Sequence, residues 1–128
     1  MKLLFDTHAF IWWDSIPAKL SPRILALCQD PEYTLVLSVV TVWEMQIKSQ
    51  LGKLKLTMPL SRLGAEQQRA NGIEILPVKL PHVLRLETLP LHHKDPFDRL
   101  LIAQAQFEDA VLLSKDAVFD KCEVQVDW

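Results

Sequence analysis

The apolar residues of this chain follow two patterns that alternate along the sequence. Short, continuous apolar runs predict strands buried on both faces, and longer stretches with apolar residues at helical spacing predict helices. The predicted strands cover residues 2–5, 34–37, 73–76, 111–113 and 123–126, and the predicted helices cover 6–13, 21–29, 38–50, 59–70, 80–89 and 95–108, with a helical turn at 116–119. This alternation indicates βα units. We therefore predict an α/β fold, a three-layer α/β/α sandwich around a central five-stranded parallel sheet.

Composition narrows the class of protein without identifying it. A chain of 128 residues suits one domain, predicted here to span residues 1–128, and 49% hydrophobic residues are typical of a globular core. The net charge of -2 gives no indication of nucleic-acid binding. Two cysteines, Cys28 and Cys122, do not form a disulfide framework in a chain of this size. With no signal peptide or membrane span visible, we expect a cytoplasmic protein.

Two acidic residues directly follow predicted strands. Asp6 ends the first strand, and Asp116 follows the fourth as Leu113-Ser-Lys-Asp116. Each has a simple structural explanation as a helix cap, because aspartate is a preferred N-cap residue. However, the carboxyl ends of parallel strands meet at one edge of the sheet, and ligands bind at that edge. We therefore treat Asp6 and Asp116 as candidate site residues.

Glu44 is the most informative acidic residue. Its predicted helix carries an apolar stripe at helical spacing, which consists of Val40, Trp43, Ile47 and Leu51. Glu44 shares that stripe, so we expect it to be partly buried. A surface ion pair with Lys48 would explain an exposed glutamate but not a buried one.

Two further acids lie close together at the predicted start of the last long helix. Asp95 precedes Pro96 and is interpreted as the N-cap. Asp98 follows in the first turn, aligned at helical spacing with the apolar positions Leu101 and Ile102, and is expected to face inward. Since one acid suffices for capping, the second suggests another role.

Four acids at one edge of a sheet would repel each other strongly. Two carboxylates about 5 Å apart repel by roughly 3 kcal/mol at an effective dielectric near 20. Cations can neutralise such a group, and carboxylate oxygens suit Mg²⁺ or Mn²⁺. The predicted site is therefore a divalent-metal centre whose ligands are Asp6, Glu44, Asp98 and Asp116.

Several motifs, in order and over nearly the whole chain, resemble one known family. They are Leu4-Phe-Asp-Thr-His-Ala9 with Trp12-Trp13, Ser38-Val-Val-Thr-Val-Trp-Glu44 with Lys48, Gly52-Lys-Leu54, His93-Lys-Asp-Pro-Phe-Asp-Arg-Leu-Leu-Ile-Ala-Gln-Ala105 and Leu113-Ser-Lys-Asp116. The chain closely resembles the PIN-domain ribonucleases, in particular the VapC-like toxins of type II toxin–antitoxin systems. Two departures are visible: Ser114 stands where threonine is usual, and Cys122 stands where an aromatic residue is common.

The resemblance carries implications for fold, chemistry and partners. It implies a sheet order of 3-2-1-4-5 and an endoribonuclease that depends on Mg²⁺ or Mn²⁺ and acts as the toxin of its pair. It implies that Asp6, Glu44, Asp98 and Asp116 form the acidic cluster that acts on RNA. It also implies a homodimer that is neutralised by a small antitoxin protein. The antitoxin would bind DNA, and the toxin would be linked to DNA only through it. The alternative is a non-catalytic PIN-like module that binds RNA or protein.

Other residues near the motifs have two interpretations each. The hydroxyls of Thr7 and Ser114 either orient the metal ligands or cap local backbone. Lys48 and Arg99 are candidates for contacts to RNA phosphates. Trp12, with its neighbour Trp13, is suited to stacking on a base or a partner, although core or dimer packing is the favoured interpretation. A receiver domain and a dinucleotide-binding enzyme are disfavoured, because Asp6 is followed by threonine and the first turn has no glycines.

Overall fold

The computed structural model of the chain describes residues 1–90, 95–116, 119 and 125–128. The strands are β1 (Lys2–Phe5), β2 (Thr34–Ser38), β3 (Glu74–Leu76), β4 (Ala110–Leu113) and β5 (Val126–Asp127). The helices are α1 (Thr7–Ser15), α2 (Pro22–Gln29), α3 (Val39–Gln50), α4 (Leu60–Asn71), α5 (Leu80–Arg85) and α6 (Pro96–Phe107), with single 3₁₀ turns at Pro17–Lys19 and Leu86–Thr88. The order of elements matches the predicted alternation of strands and helices.

The five strands form one parallel sheet in the order β3-β2-β1-β4-β5, as predicted. Strand β1 lies at the centre, where Leu4 is in register with Val36 of β2 and with Leu112 of β4. The ladder continues past the strand ends, because the Asp6 amide donates to the Leu113 carbonyl at 3.0 Å. The residues that follow β1 and β4 therefore lie side by side at the same edge of the sheet.

The sheet is buried on both faces, which explains why its strands are apolar throughout. Leu3 and Phe5 of β1 pack into one cluster, with residues of α1, α2 and α4. Leu4, between them, packs into the other cluster with Leu101 and Ile102 of α6. Successive side chains of a strand point to opposite faces, so both faces of β1 need apolar residues. The predicted three-layer sandwich is confirmed.

Side chains cap the starts of three helices, and the cap at Asp95 is the one interpreted from the sequence above. Ser21 accepts a hydrogen bond from the Ile24 amide before α2, Ser38 accepts one from the Val40 amide before α3, and Asp95 caps α6. Helix α4 ends at Gly72, whose φ of 65° lies in the left-handed region that glycine adopts without strain.

The bounds of most elements lie within two residues of the predicted ones, and two elements need separate comment. The helix expected over residues 80–89 ends at Arg85 and continues as a 3₁₀ turn to Thr88. The turn stops there because the residue before Pro90, Leu89, is extended. The fifth strand reaches Asp127, one residue beyond the predicted end, while residues 123–124 lie outside the described residues, as does Cys122. In the described part of the chain, no helix is long and apolar enough to span a bilayer.

Candidate active site

Asp6 lies where β1 ends and α1 begins, and it does serve as a helix cap. Its Oδ1 accepts a hydrogen bond from the Ala9 amide at 2.7 Å. The structural explanation considered for this residue is therefore correct, but it uses only one of the two carboxylate oxygens.

The second oxygen of Asp6 connects it to the end of β4. Oδ2 accepts a hydrogen bond from Ser114 Oγ at 2.6 Å, and the same Oγ accepts one from the Asp116 amide at 3.1 Å. Ser114 is buried, so this link is held rigidly between the two strand ends. The predicted proximity of Asp6 and Asp116 follows directly from the pairing of β1 with β4.

Asp6 is buried without full electrostatic compensation. Burial raises the pKa of this carboxyl group, and the charge of Asp116 raises it further. The hydrogen bonds from Ser114 and Ala9 and the nearby His8 lower the pKa, but the net shift is upward. Among the described residues, no lysine or arginine forms a salt bridge with Asp6. Its ionised form would therefore gain from an added cation.

The edge of the sheet opens into a pocket of about 390 Å³. Its described lining consists of Asp6, His8, Trp12, Lys115 and Asp116. Glu44 and Asp98 do not line this pocket. The structure thus brings two of the four predicted acids to one open surface.

Glu44 is linked to this edge of the sheet by a hydrogen bond with Thr7, the residue after Asp6. Its Oε1 accepts a short hydrogen bond from Thr7 Oγ1, and its Oε2 lies 3.8 Å from Lys48 Nζ. The Glu44 side chain is 15% exposed, so it is partly buried as expected. The expected partial burial of Glu44 occurs, and so does the ion pair with Lys48, which had been the alternative structural explanation for this residue.

The apolar stripe that led to this expectation is only partly correct. Trp43 and Leu51 are 54% and 63% exposed, and the buried residues of α3 are instead Val40, Thr41 and Met45. Helix α3 follows β2 directly and contributes to both core clusters, through Met45 to one and Val40 to the other, so its buried residues do not form one stripe. Glu44 is buried because it contacts α1.

Thr41 adds an unsatisfied polar atom one turn before Glu44. Its side chain is fully buried, and among the described residues its Oγ1 has no hydrogen-bond partner. Residues three apart share a helix face. A buried hydroxyl without a partner costs free energy.

Asp98 occupies the first turn of α6, and its carboxylate is not needed for the cap. Asp95 Oδ1 accepts hydrogen bonds from the amides of Phe97 and Asp98 at 2.9 and 3.2 Å, as the interpretation of Asp95 predicted. The Phe97 ring packs edge-on against Trp43 with centroids 4.8 Å apart. This contact joins the start of α6 to α3 next to Glu44.

The four predicted ligands do not form a closed cluster. In residues 1–90, 95–116, 119 and 125–128, no three Asp, Glu, His or Cys side chains converge closely enough to hold a metal ion. The donors nevertheless fit a hard cation, because they are carboxylates and hydroxyls supported by hydrogen bonds. The assignment of Asp6, Glu44, Asp98 and Asp116 as metal ligands remains a prediction.

The structure shows hydrogen bonds for the predicted orienting hydroxyls and for one of the two basic residues predicted to contact RNA. Thr7 and Ser114 each donate to a predicted ligand, Glu44 and Asp6 respectively, which is what orienting hydroxyls do. The Arg99 guanidinium donates to the backbone carbonyls of Pro90 and Leu86 at 3.0 and 3.2 Å. The contacts of Lys48 and Arg99 to RNA stay predictions.

Sequence reasoning did not single out His8 and Lys115, which line the pocket. Both are exposed polar residues, and a single exposed residue gives no periodic signal. Trp12 was considered, with packing favoured, and it does pack against a core cluster. The spacing of four between His8 and Trp12 would have predicted a shared helix face.

The model of the PIN domain family matches residues 3–124 of this chain. A comparison with curated proteins returned no match.

Solved structures with similar folds cover nearly the whole chain. VapBC2 from Rickettsia felis, bound to a DNA fragment from its promoter, superposes with a TM-score of 0.73 and 17% identity over 99% of this chain and 98% of that chain. DNA-bound VapBC from Salmonella typhimurium gives 0.68 and 14% over 99% and 97%. VapBC-1 from nontypeable Haemophilus influenzae gives 0.63 and 18% over 99% and 97%. At these identities the likeness shows the shared fold.

Proposed function

Because its sequence matches the PIN domain over residues 3–124, this chain belongs to the PIN domain family, and we propose that it is a metal-dependent endoribonuclease. It hydrolyses RNA phosphodiester bonds and acts as the toxin of a toxin–antitoxin pair. The proposal goes beyond the family assignment, since a fold by itself does not determine an activity.

One observation carries the proposal. Asp6 is 6% exposed, has a raised pKa because of its burial, and nevertheless borders an open pocket together with Asp116. A buried carboxylate that only stabilises the fold would be expected to have a cationic partner within the protein. Perturbed acids in a pocket are instead characteristic of functional sites.

Asp6, Glu44, Asp98 and Asp116 would hold Mg²⁺ or Mn²⁺, which lowers the pKa of a bound water and stabilises charge on the phosphate. The protein's own contribution is to position these acids. Ser114 fixes Asp6 relative to the Asp116 backbone, and Thr7 fixes Glu44 next to α1. Asp95 takes the capping role at α6, so that the Asp98 carboxylate is not required for it.

The partner proposal rests on the similar structures. Two of the VapBC structures compared are bound to DNA, and the sequence resembles the VapC-like toxins of toxin–antitoxin pairs. We propose that this chain likewise binds a cognate antitoxin and contacts DNA only through it. A homodimer and a cytoplasmic location remain predictions from the sequence.

The decisive experiment compares RNA cleavage by three variants that each remove one acidic charge. Asp6→Asn and Asp98→Asn should abolish Mn²⁺-dependent cleavage of structured RNAs while their circular dichroism spectra stay native. Asp109→Asn is the matched control, because Asp109 is exposed and has a φ of 53° that asparagine tolerates. Its cleavage rate should equal that of the wild type.

Metal dependence has a separate readout in the stability of the folded protein. Millimolar Mn²⁺ should raise the melting temperature by a few °C in the wild type and less in Asp6→Asn, because a ligand that binds only the native state stabilises it. Cleavage that persists in excess chelator would remove the metal from the proposal. Absence of cleavage with every RNA tested would favour the non-catalytic module.

A further inference from the structure

The pocket beside Asp6 has lining residues of a second chemical kind. Next to the two acids it is lined by an imidazole, an indole and an ammonium group, from His8, Trp12 and Lys115. Acids bind a cation but repel a phosphodiester strand, so they cannot hold the rest of an RNA substrate alone. The other lining groups are suited to that task.

The aromatic groups form a continuous surface, here called the aromatic wall, which consists of His8, Trp12 and Trp128. The His8 and Trp12 rings are one helical turn apart on α1, with centroids 5.9 Å apart and planes inclined by 32°. Trp128, which follows β5, packs edge-on against Trp12 with centroids 5.6 Å apart. Rings from the helix after β1 and from the segment after β5 therefore meet at the same edge as the acids.

Two cations accompany the aromatic wall. Lys19 Nζ lies 5.8 Å from the centre of the Trp12 ring, and Lys115 is exposed next to Asp116. A pocket that combines stacking rings with lysines has the features of single-stranded nucleic-acid binding sites, where bases stack and cations follow the backbone.

Core packing explains only part of this arrangement. Trp12 and Trp128 are partly buried against the core cluster, which holds their rings in place before a ligand arrives. His8 is exposed, yet its ring lies beside Trp12 and lines the pocket. Packing alone does not require an exposed imidazole at this position.

We infer that the aromatic wall binds an unpaired nucleobase of the RNA strand beside the acids that cut it. This inference rests on the proposed ribonuclease function and names the part of the substrate that this surface recognises. Since every base has a π-face, the wall selects unpaired over paired nucleotides and tolerates different bases.

The test measures how much a base contributes to binding. A fluorescently labelled single-stranded oligoribonucleotide is compared with an abasic strand of the same length, by fluorescence anisotropy in EDTA so that the strand stays intact. The wild type should bind the base-containing strand roughly 5- to 100-fold more tightly, the effect of stacking about one base.

Variants then assign this preference to the wall. His8→Ala and Trp12→Leu should each reduce it several-fold, whereas Trp12→Phe, which keeps an aromatic ring, should retain it. Lys115→Gln should weaken binding of both strands equally. Trp43→Leu is the matched control, because Trp43 is an exposed tryptophan that packs on Phe97 of α6 and does not line this pocket.

Two results would overturn the inference. The first is equal binding of the two strands by the wild type, which would leave a protein segment as the occupant of the pocket. The second is an unchanged preference for the base-containing strand in both His8→Ala and Trp12→Leu. If Trp12→Leu does not fold, His8→Ala decides alone, since its side chain is exposed. A base preference without metal-dependent cleavage would refute the ribonuclease proposal but support base binding by the aromatic wall. Cleavage without a base preference would support the ribonuclease proposal and refute base binding by the aromatic wall.

Discussion

Asp6 and Glu108 are both largely buried carboxylates, but they lie at opposite ends of the sheet and differ in what surrounds them. Burial raises the pKa of each group. At Glu108 this effect is outweighed by hydrogen bonds from His82 and Lys2 and by the charges of Lys2 and Lys79, so its pKa is lowered. At Asp6 the available hydrogen bonds do not outweigh burial, and the pKa stays raised.

The surroundings of Glu108 form a network satisfied within the protein. Its two oxygens contact Lys2 Nζ at 3.4 Å and His82 Nε2 at 3.2 Å. His82 Nδ1 accepts a hydrogen bond from the Lys79 amide at 3.0 Å, so we place the proton of the ring on Nε2. Gln104 continues the network, donating to the Pro77 carbonyl and accepting from Ser38 at the start of α3.

The comparison separates a structural acid from a candidate functional one. Glu108 has a cation and an imidazole, and it joins α5 and α6 to the start of β1. Among the described residues, Asp6 has two neutral hydrogen-bond donors, a nearby imidazole from His8 and a neighbouring acid, and it forms no salt bridge with a lysine or arginine. A carboxylate that the protein does not neutralise is the one we expect to bind something from outside.

The largest expected effect tests this separation directly. Asp6→Asn should lower the rate of RNA cleavage by about 1,000-fold, the scale on which loss of a charge-stabilising group acts. Its melting temperature should be unchanged or higher, because the substitution removes an uncompensated buried charge. Glu108→Gln should keep the cleavage rate per folded molecule. Single-turnover cleavage and thermal melts of both variants, at matched protein concentrations, test whether Asp6→Asn affects activity and Glu108→Gln does not. A large loss of activity in Glu108→Gln would contradict this separation.

His82→Ala should cause the largest loss of stability. The imidazole is fully buried and hydrogen-bonded at both nitrogens, so its removal leaves a cavity and unpaired groups on Glu108 and Lys79. We expect a loss of about 2–4 kcal/mol in the free energy of unfolding, measured with urea. Val83→Ala, at the exposed neighbouring position, is the control and should cost about 0.5 kcal/mol or less. Similar losses for the two variants would mean that the network contributes little.

The contribution of Glu108 should depend on pH. Its pKa is lower in the folded state than the unfolded value of 4.5, so the unfolded chain takes up the proton first as the pH falls. The stability it provides is therefore complete above about pH 4.5 and is lost as the pH falls through the folded-state pKa. At pH 7 Glu108→Gln should be less stable than the wild type by about 1–3 kcal/mol, and this deficit should shrink in acid. A deficit independent of pH would assign the effect to packing.

The smallest effect is expected at Cys28, where burial also shifts a pKa, but which belongs to the core cluster and does not line the pocket beside Asp6. Burial raises the pKa of this thiol to about 11. In a Cys122→Ser background it should react with a thiol reagent at pH 8 about 100-fold more slowly than a free cysteine. Cys28→Ala should leave RNA cleavage within about twofold of the wild type. A large loss of cleavage would contradict the comparison, because a core residue outside the pocket would then matter as much as Asp6.

The sequence predicted some parts of the site correctly for partly wrong reasons. The partial burial of Glu44 was inferred from a stripe that includes Trp43 and Leu51, both of which are exposed. Helix periodicity identifies residues that share a face, but it does not show which face meets the sheet. The predicted helix included Leu89, which is extended because it precedes Pro90, and the change from α-helix to a 3₁₀ turn after Arg85 has no signal in the linear pattern.

Local sequence determined the strands, the helix caps at Ser21, Ser38 and Asp95, and the acids that follow β1 and β4. These features depend on neighbouring residues, which a linear pattern records. Tertiary structure alone decided that Ser114 joins Asp6 to Asp116, that Trp128 reaches Trp12, and that His82 satisfies Glu108. Such contacts depend on the register of the strands and on how the helices pack. The charges and hydrogen bonds around a buried group come from residues that are distant in the sequence, so only the folded structure shows whether the group is neutralised.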